Sequence, residues 1–129
     1  MENLDEYSIL CVEDNELNMT LIRYVVRKMP GFKLLEARTA EKAIPLAMQH
    51  QPDLILMDIS LPVMDGYEAL ALLRANPLTQ YIPAVAISSF ASQSDIRKGL
   101  QAGFEAYFTK PVDVKVLTRY LYNILGRNA

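Results

Sequence analysis

The sequence predicts an α/β fold: one doubly wound domain whose parallel five-stranded sheet is covered by helices on both faces. Three observations carry that expectation. Five short runs of the chain are apolar; the runs are almost uniformly apolar rather than alternating; and longer stretches with helical spacing separate them. Short, uniformly apolar runs suit strands buried on both faces of a parallel sheet. The length of 129 residues fits one compact domain, residues 1–129.

The first run is Ile9-Leu10-Cys11-Val12. After it, Leu17, Leu21, Val25 and Met29 recur every four residues and mark the buried face of a first helix. The second run, Phe32-Lys33-Leu34-Leu35, is weaker, and Ala40, Ala43, Ile44 and Ala47 mark the helix that follows. Pro45 falls inside that helix, where it removes a hydrogen bond at a cost of about 3 kcal/mol, so a kink or a late start is expected. The third run is Leu54-Ile55-Leu56-Met57. Its helix carries Leu70 and Leu73 and stops before Pro77, and Asp65-Gly66 reads as turn chemistry. The fourth run is Ala84-Val85-Ala86-Ile87. Ser92 and Asp95 have capping-box spacing, Ile96 and Leu100 give an inner face, and Gly103 is a natural stop. The fifth is Ala106-Tyr107-Phe108. Asp113 caps the last helix, with Val114, Leu117, Leu121 and Ile124 inward. Five βα units with right-handed crossovers give the flavodoxin-like strand order 2-1-3-4-5.

Bulk properties exclude several functions. The net charge is -2 with no Lys/Arg cluster, so no nucleic-acid face is expected. No apolar run approaches a membrane span, and the acidic start Met1-Glu2-Asn3-Leu4-Asp5-Glu6 lacks a signal-peptide pattern. A single cysteine, Cys11, forms no internal disulfide, suits a reducing cytoplasm, and reads as a core thiol. His50 sits near a helix end, where an imidazolium suits the dipole; with Cys11 distant from it, no transition-metal site is expected.

In such folds ligands bind beyond the carboxyl ends of the strands, near the reversal of strand order. The first run is followed by Glu13-Asp14, the third ends in Asp58, the fourth is followed by Ser88-Ser89, and the fifth by Thr109-Lys110-Pro111. Three carboxylates, a hydroxyl and an ammonium converge at one edge. Carboxylates this close repel one another unless a cation compensates, and an open, oxygen-only site favours Mg2+. A carboxylate can also act as a nucleophile and form an aspartyl phosphate. Taken singly, Glu13-Asp14-Asn15 also suits a helix cap, and Asp58 a turn.

Together these residues resemble those of response-regulator receiver domains of two-component phosphorelay systems, of the chemotaxis-regulator-like kind, over nearly the whole chain. The acidic pair matches Glu13 and Asp14. The phosphoacceptor matches Asp58 in Leu56-Met57-Asp58-Ile59-Ser60-Leu61-Pro62-Val63-Met64-Asp65-Gly66. The switch hydroxyl matches Ser88, the aromatic switch position Tyr107, and the lysine-proline pair Lys110-Pro111, whose bond is typically cis in the family. The resemblance implies that Asp14, Asp58 and the backbone carbonyl of Ser60 bind Mg2+ (or Mn2+), with Glu13 acting through a metal-bound water. It implies that Lys110 and Ser88 contact the phosphoryl oxygens and that Ser88 and Tyr107 move to change the α4-β5-α5 surface. The implied donor is a histidine kinase or histidine phosphotransfer domain, and the implied reader is a downstream protein partner or effector domain. The chain is then no enzyme beyond catalysing its own phosphorylation and dephosphorylation.

Three positions tune the site. Ser89 stands where the family usually has Ala or Gly, and Ser60 and Phe90 offer no carboxylate or amide to orient water, so slow self-dephosphorylation is expected. The runner-up function is a phosphorylation-independent docking module, which would show a broken site. A flavodoxin-like cofactor binder would want phosphate donors where Glu13-Asp14-Asn15-Glu16 stand. A phosphohydrolase of the haloacid-dehalogenase type would need a second Asp at Ser60 and a cap domain. The chain ends soon after the last helix, at Gly126-Arg127-Asn128-Ala129, which suits a stand-alone receiver or one excised from a hybrid kinase or larger regulator.

Overall fold

Strand and helix alternate strictly through the computed structural model, which describes residues 6–125. The order is β1 (Tyr7–Val12), α1 (Glu16–Arg27), β2 (Phe32–Ala37), α2 (Ala40–His50), β3 (Leu54–Asp58), α3 (Gly66–Arg74), β4 (Ala84–Ser88), α4 (Gln93–Ala102), β5 (Ala106–Thr109) and α5 (Val114–Ile124). The strands form one parallel sheet in the order β2-β1-β3-β4-β5, the order expected of five βα units. The acidic start, Met1 to Asp5, and the end, Gly126 to Ala129, lie outside the described residues.

Burial follows the position of each strand in the sheet. Every residue of β3 and β4 is buried, whereas the edge strands β2 and β5 are mostly half-buried. That difference explains why the second run is the weakest in the sequence. Side chains alternate between two apolar layers, as the strand period of two demands. Leu10, Ile55 and Ala84 meet Ala43, Ala47, Leu70 and Leu73 of α2 and α3. Ile9, Leu54 and Val85 meet Met19, Ile22, Leu117 and Leu121 of α1 and α5.

Local chemistry starts the helices. Asn15, Thr39, Asp65, Ser92 and Asp113 are N-caps, each accepting from a backbone amide three residues on. Such a cap contributes about 1 kcal/mol. Gly103 ends α4 in the left-handed region at φ 114°, as its place after the apolar spacing suggested.

Four expectations are corrected. Leu17 is 81% exposed; the inner stripe of α1 is Met19, Ile22, Val25 and Val26. Four-residue steps drift by about 40° each on an α-helix, so Leu17 stands about 80° round from Val25. Leu100 is likewise 47% exposed and Ile96 half-buried, because the residue that α4 turns inward is Gly99. Pro45 does not delay α2, which begins at Ala40; Pro45 and Glu41 are both exposed, so the carbonyl left without a donor faces water. Asp65-Gly66 is not a free turn: Asp65 and Glu68 form a capping box that opens α3. The backbone at Gly66 lies so close that a Cβ there would stand 2.6 Å from Ile59 Cα. Among the described residues, no helix is long and apolar enough to cross a membrane.

Candidate functional site

The sheet itself carries the polar residues to one edge. Glu13 continues β1 by donating its amide to the Ala37 carbonyl at 3.0 Å. Asp58 and Ser88 are the last residues of β3 and β4, and Lys110 follows β5 with its amide on the Ser88 carbonyl at 2.8 Å. The ladder thus fixes four backbone positions before any side chain is placed. Asn15 caps α1, so the cap reading of Glu13-Asp14-Asn15 holds for one residue of the three. Glu13 and Asp14 cluster with Asp58 instead.

Lys110 Nζ donates to Asp58 Oδ2 at 2.9 Å and lies 2.9 Å from Glu13 Oε1. Asp58 Oδ1 accepts the Ser60 amide at 2.8 Å, and Glu13 Oε2 accepts the Asn15 amide at 3.1 Å. Glu13, Asp58 and Ser88 are buried, while Asp14 is exposed at the rim. Carboxylate oxygens of Glu13, Asp14 and Asp58 all lie within 4.8 Å of one another. One ammonium therefore pairs with two of three clustered carboxylates.

The electrostatics follow. Burial pushes the Glu13 carboxyl above the ordinary carboxylate range and the charge of Asp58 adds to this, while Lys110 and the Asn15 amide hold it down in part. For Lys110, burial alone favours the neutral amine. The hydrogen bond to Asp58 and the close charges of Asp58 and Glu13 outweigh it, and the ammonium is held above its usual value. Glu13 Oε1 is nevertheless without a hydrogen-bond partner, its contact with Lys110 being close but poorly aligned. A buried carboxylate oxygen with no hydrogen bond, in a site of oxygen donors with excess negative charge, fits a hard divalent cation.

Ser88 and Tyr107 meet on a residue between them. Ser88 Oγ accepts the Phe90 amide at 2.9 Å, and the Tyr107 hydroxyl donates to the Phe90 carbonyl at 2.6 Å. The ring of Tyr107 packs on the apolar layer that includes Ile59, Leu70 and Phe104. Ser60, Ser89 and Phe90 are exposed around the site. A cleft of about 190 Å³ opens beside them, lined by Ile59, Ser60, Tyr67, Phe90, Lys98 and Tyr107. The Lys110–Pro111 bond is cis.

A second charged cluster joins α1 and β2. Arg23 makes two hydrogen bonds to Glu36, both 2.8 Å, and approaches Glu16 at 3.6 Å; Arg38 meets Glu16 at 2.8 Å and Glu36 at 3.5 Å. Cys11, buried in the sheet, has its thiol pushed far up by burial and is an inert core group, as expected.

The sequence profile of the response regulator receiver domain matches residues 9–122. This chain belongs to the receiver-domain family. The polar-differentiation response regulator DivK of Brucella ovis is 39% identical over 119 residues, covering 92% of this chain and 96% of that protein. The receiver domain of sensor histidine kinase PA1611 from Pseudomonas aeruginosa PAO1 is 36% identical with a TM-score of 0.84. That alignment covers 94% of this chain and 98% of that one, and PA1611 carries a magnesium ion in its active-site cleft. The Mn2+-bound form of response regulator Rcp1 is 28% identical with a TM-score of 0.73, over 92% of this chain and 91% of that one. Receivers are signalling modules of two-component systems, not classical enzymes, and they interact with histidine kinases and downstream effectors.

Sequence reasoning named the receiver's side chains but missed two backbone contributions. The Ser60 amide holds Asp58, and the Phe90 amide and carbonyl join Ser88 to Tyr107. Backbone groups have no residue signature, so only the paths of the loops reveal them.

Proposed function

We propose that this receiver accepts a phosphoryl group on Asp58 from the phosphohistidine of a histidine kinase or histidine phosphotransfer domain, acting as one domain in the cytoplasm. The observation that carries the reading is the Asp58 carboxylate itself: buried, held by the Ser60 amide and Lys110, and crowded by two further acids. Asp14, Asp58 and the Ser60 carbonyl would hold Mg2+, or Mn2+ in its place, with Glu13 reaching the ion through water. The ion supplies neutralisation of charge on the phosphoryl oxygens.

An Asp58 oxygen attacks phosphorus as the P–N bond to the donor imidazole breaks. Lys110 needs no large movement to meet the new phosphoryl oxygens, since its ammonium already lies on the acceptor carboxylate. Ser88 must give up the Phe90 amide to turn its hydroxyl toward them. Phe90 is also held by Tyr107, so that exchange reaches β5 and α4. The α4-β5-α5 surface then differs between the two states and regulates a downstream partner or effector domain. Because Ser60 and Phe90 orient no water and Ser89 narrows access, the aspartyl phosphate is long-lived. The protein catalyses only its own phosphorylation and dephosphorylation.

The test is intact mass after incubation with acetyl phosphate and Mg2+. One added phosphoryl group is expected in the wild type and none in Asp58→Asn. An adduct that persists in Asp58→Asn moves the acceptor elsewhere, and absence of any adduct with small-molecule and kinase donors alike overturns the reading.

A further inference from the structure

α4 contains a residue that its own helix disfavours. Gly99 lies in the helix interior, where glycine weakens folding about fivefold relative to alanine. It is also the residue that α4 buries. A Cβ built there would stand 2.7 Å from Cδ2 and 3.0 Å from Cε2 of Tyr107, well inside van der Waals contact. These are atoms of a rigid ring, so relief requires the whole Tyr107 side chain to turn. Space for that turn lies in the cleft of about 190 Å³ that Tyr107 lines with Tyr67 and Phe90. On one side the ring packs on the apolar layer of Ile59 and Phe104. On another stands Tyr67, whose hydroxyl comes within 3.7 Å of the same Cβ position and whose ring is covered by the Lys98 ammonium at 4.7 Å.

We infer that Gly99 is a positioning residue: the missing side chain is the seat of the Tyr107 ring, and the seat keeps the Tyr107 hydroxyl on the Phe90 carbonyl when Asp58 carries no phosphoryl group. The contacts form a continuous line. Bare α4 backbone at Gly99 receives the ring, the ring aims its hydroxyl at the Phe90 carbonyl 2.6 Å away, and the Phe90 amide rests on Ser88 Oγ at 2.9 Å. Filling the seat therefore releases the loop between β4 and α4 from the Tyr107 end. The signalling meaning of the seat rests on the reading of Ser88 and Tyr107 as switch residues; its geometry does not.

The experiment uses the unphosphorylated full chain and two measurements. In Gly99→Ala, the Phe90 carbonyl 13C resonance is expected to move to the position it takes in Tyr107→Phe, which lacks the hydroxyl. In thermal unfolding, Gly99→Ala is expected to lower Tm when Tyr107 is present and to raise it in the Tyr107→Ala background, where alanine regains its helical advantage. A Phe90 resonance unchanged in Gly99→Ala overturns the inference, as does a Tm shift of the same sign in both backgrounds. Neither measurement involves a phosphoryl donor. Failure of the acetyl phosphate experiment would remove the switch and leave the seat standing, whereas failure here would leave phosphorylation of Asp58 untouched.

Discussion

Two clusters of carboxylates and cations stand side by side in this molecule, and they differ in balance and in water. In the first, Glu13, Asp14 and Asp58 face Lys110, with Glu13 and Asp58 buried. In the second, Glu16 and Glu36 face Arg23 and Arg38, all of them part-exposed. The exposed cluster is neutral as it stands and straps α1 to β2. Pairs of that kind contribute little, since water screens them and ordering the side chains opposes the gain. The buried cluster stays negative after its ion pairs form. One lysine does not balance three acids, and that excess of negative charge is what suits the cluster to a divalent cation. Charge pairing as such is no sign of function; burial together with imbalance is.

The comparison breaks most sharply at Lys110. Lys110→Met leaves Glu13 and Asp58 buried without their cation, and the expected loss is about 3 kcal/mol in metal-free urea unfolding. The matching change in the exposed cluster, Arg23→Met, is expected to cost less than about 1 kcal/mol. Equal losses would erase the distinction between the clusters.

Mg2+ sharpens it next. At a hundredfold excess over its dissociation constant, one bound ion raises stability by about 2.7 kcal/mol. This gain is expected in the wild type and in Glu16→Gln, and should shrink in Asp14→Asn. A gain unchanged in Asp14→Asn would place the ion elsewhere.

The smallest effect belongs to acid. The Arg23 hydrogen bonds, against a smaller opposing effect of burial, hold the Glu36 carboxyl below its ordinary value of about 4.5. Its stabilising contribution is thus complete above about pH 4.5 and is lost as pH falls through the lower folded value. Glu36→Gln should therefore lose stability less steeply than wild type below that pH, and the difference should narrow in high salt. Parallel acid profiles would show that the strap carries no net coupling.

Much of the fold was legible because parallel strands buried on both faces leave uninterrupted apolar runs, and the polar residues at the ends of those runs are the ones the sheet gathers at one edge. Asp58, Ser88 and Lys110 could be placed at that edge from their positions after the runs, and their roles came only with the family resemblance. Helix phase was less legible: Leu17 and Leu100 have the right spacing but point outward, since periodicity fixes a repeat and not the direction of its face. The strap was invisible because Arg23 and Glu36 sit on different elements, 13 residues apart. Gly99 carries no signal in the sequence beyond glycine's poor helix propensity. Its use depends on Tyr107, which comes from the following strand.

Lys110 also has a place in time. A ribosome delivers Glu13, Asp14 and Asp58 long before it delivers β5 and the lysine that follows it. Until then the three acids have no ammonium to gather around, and the ladder bond that positions residue 110 on Ser88 does not exist. A nascent chain short of this point carries Asp58 without the lysine that pairs with it. On the proposed reading, half-made copies would be silent toward a phosphodonor, and only the finished sheet could be addressed.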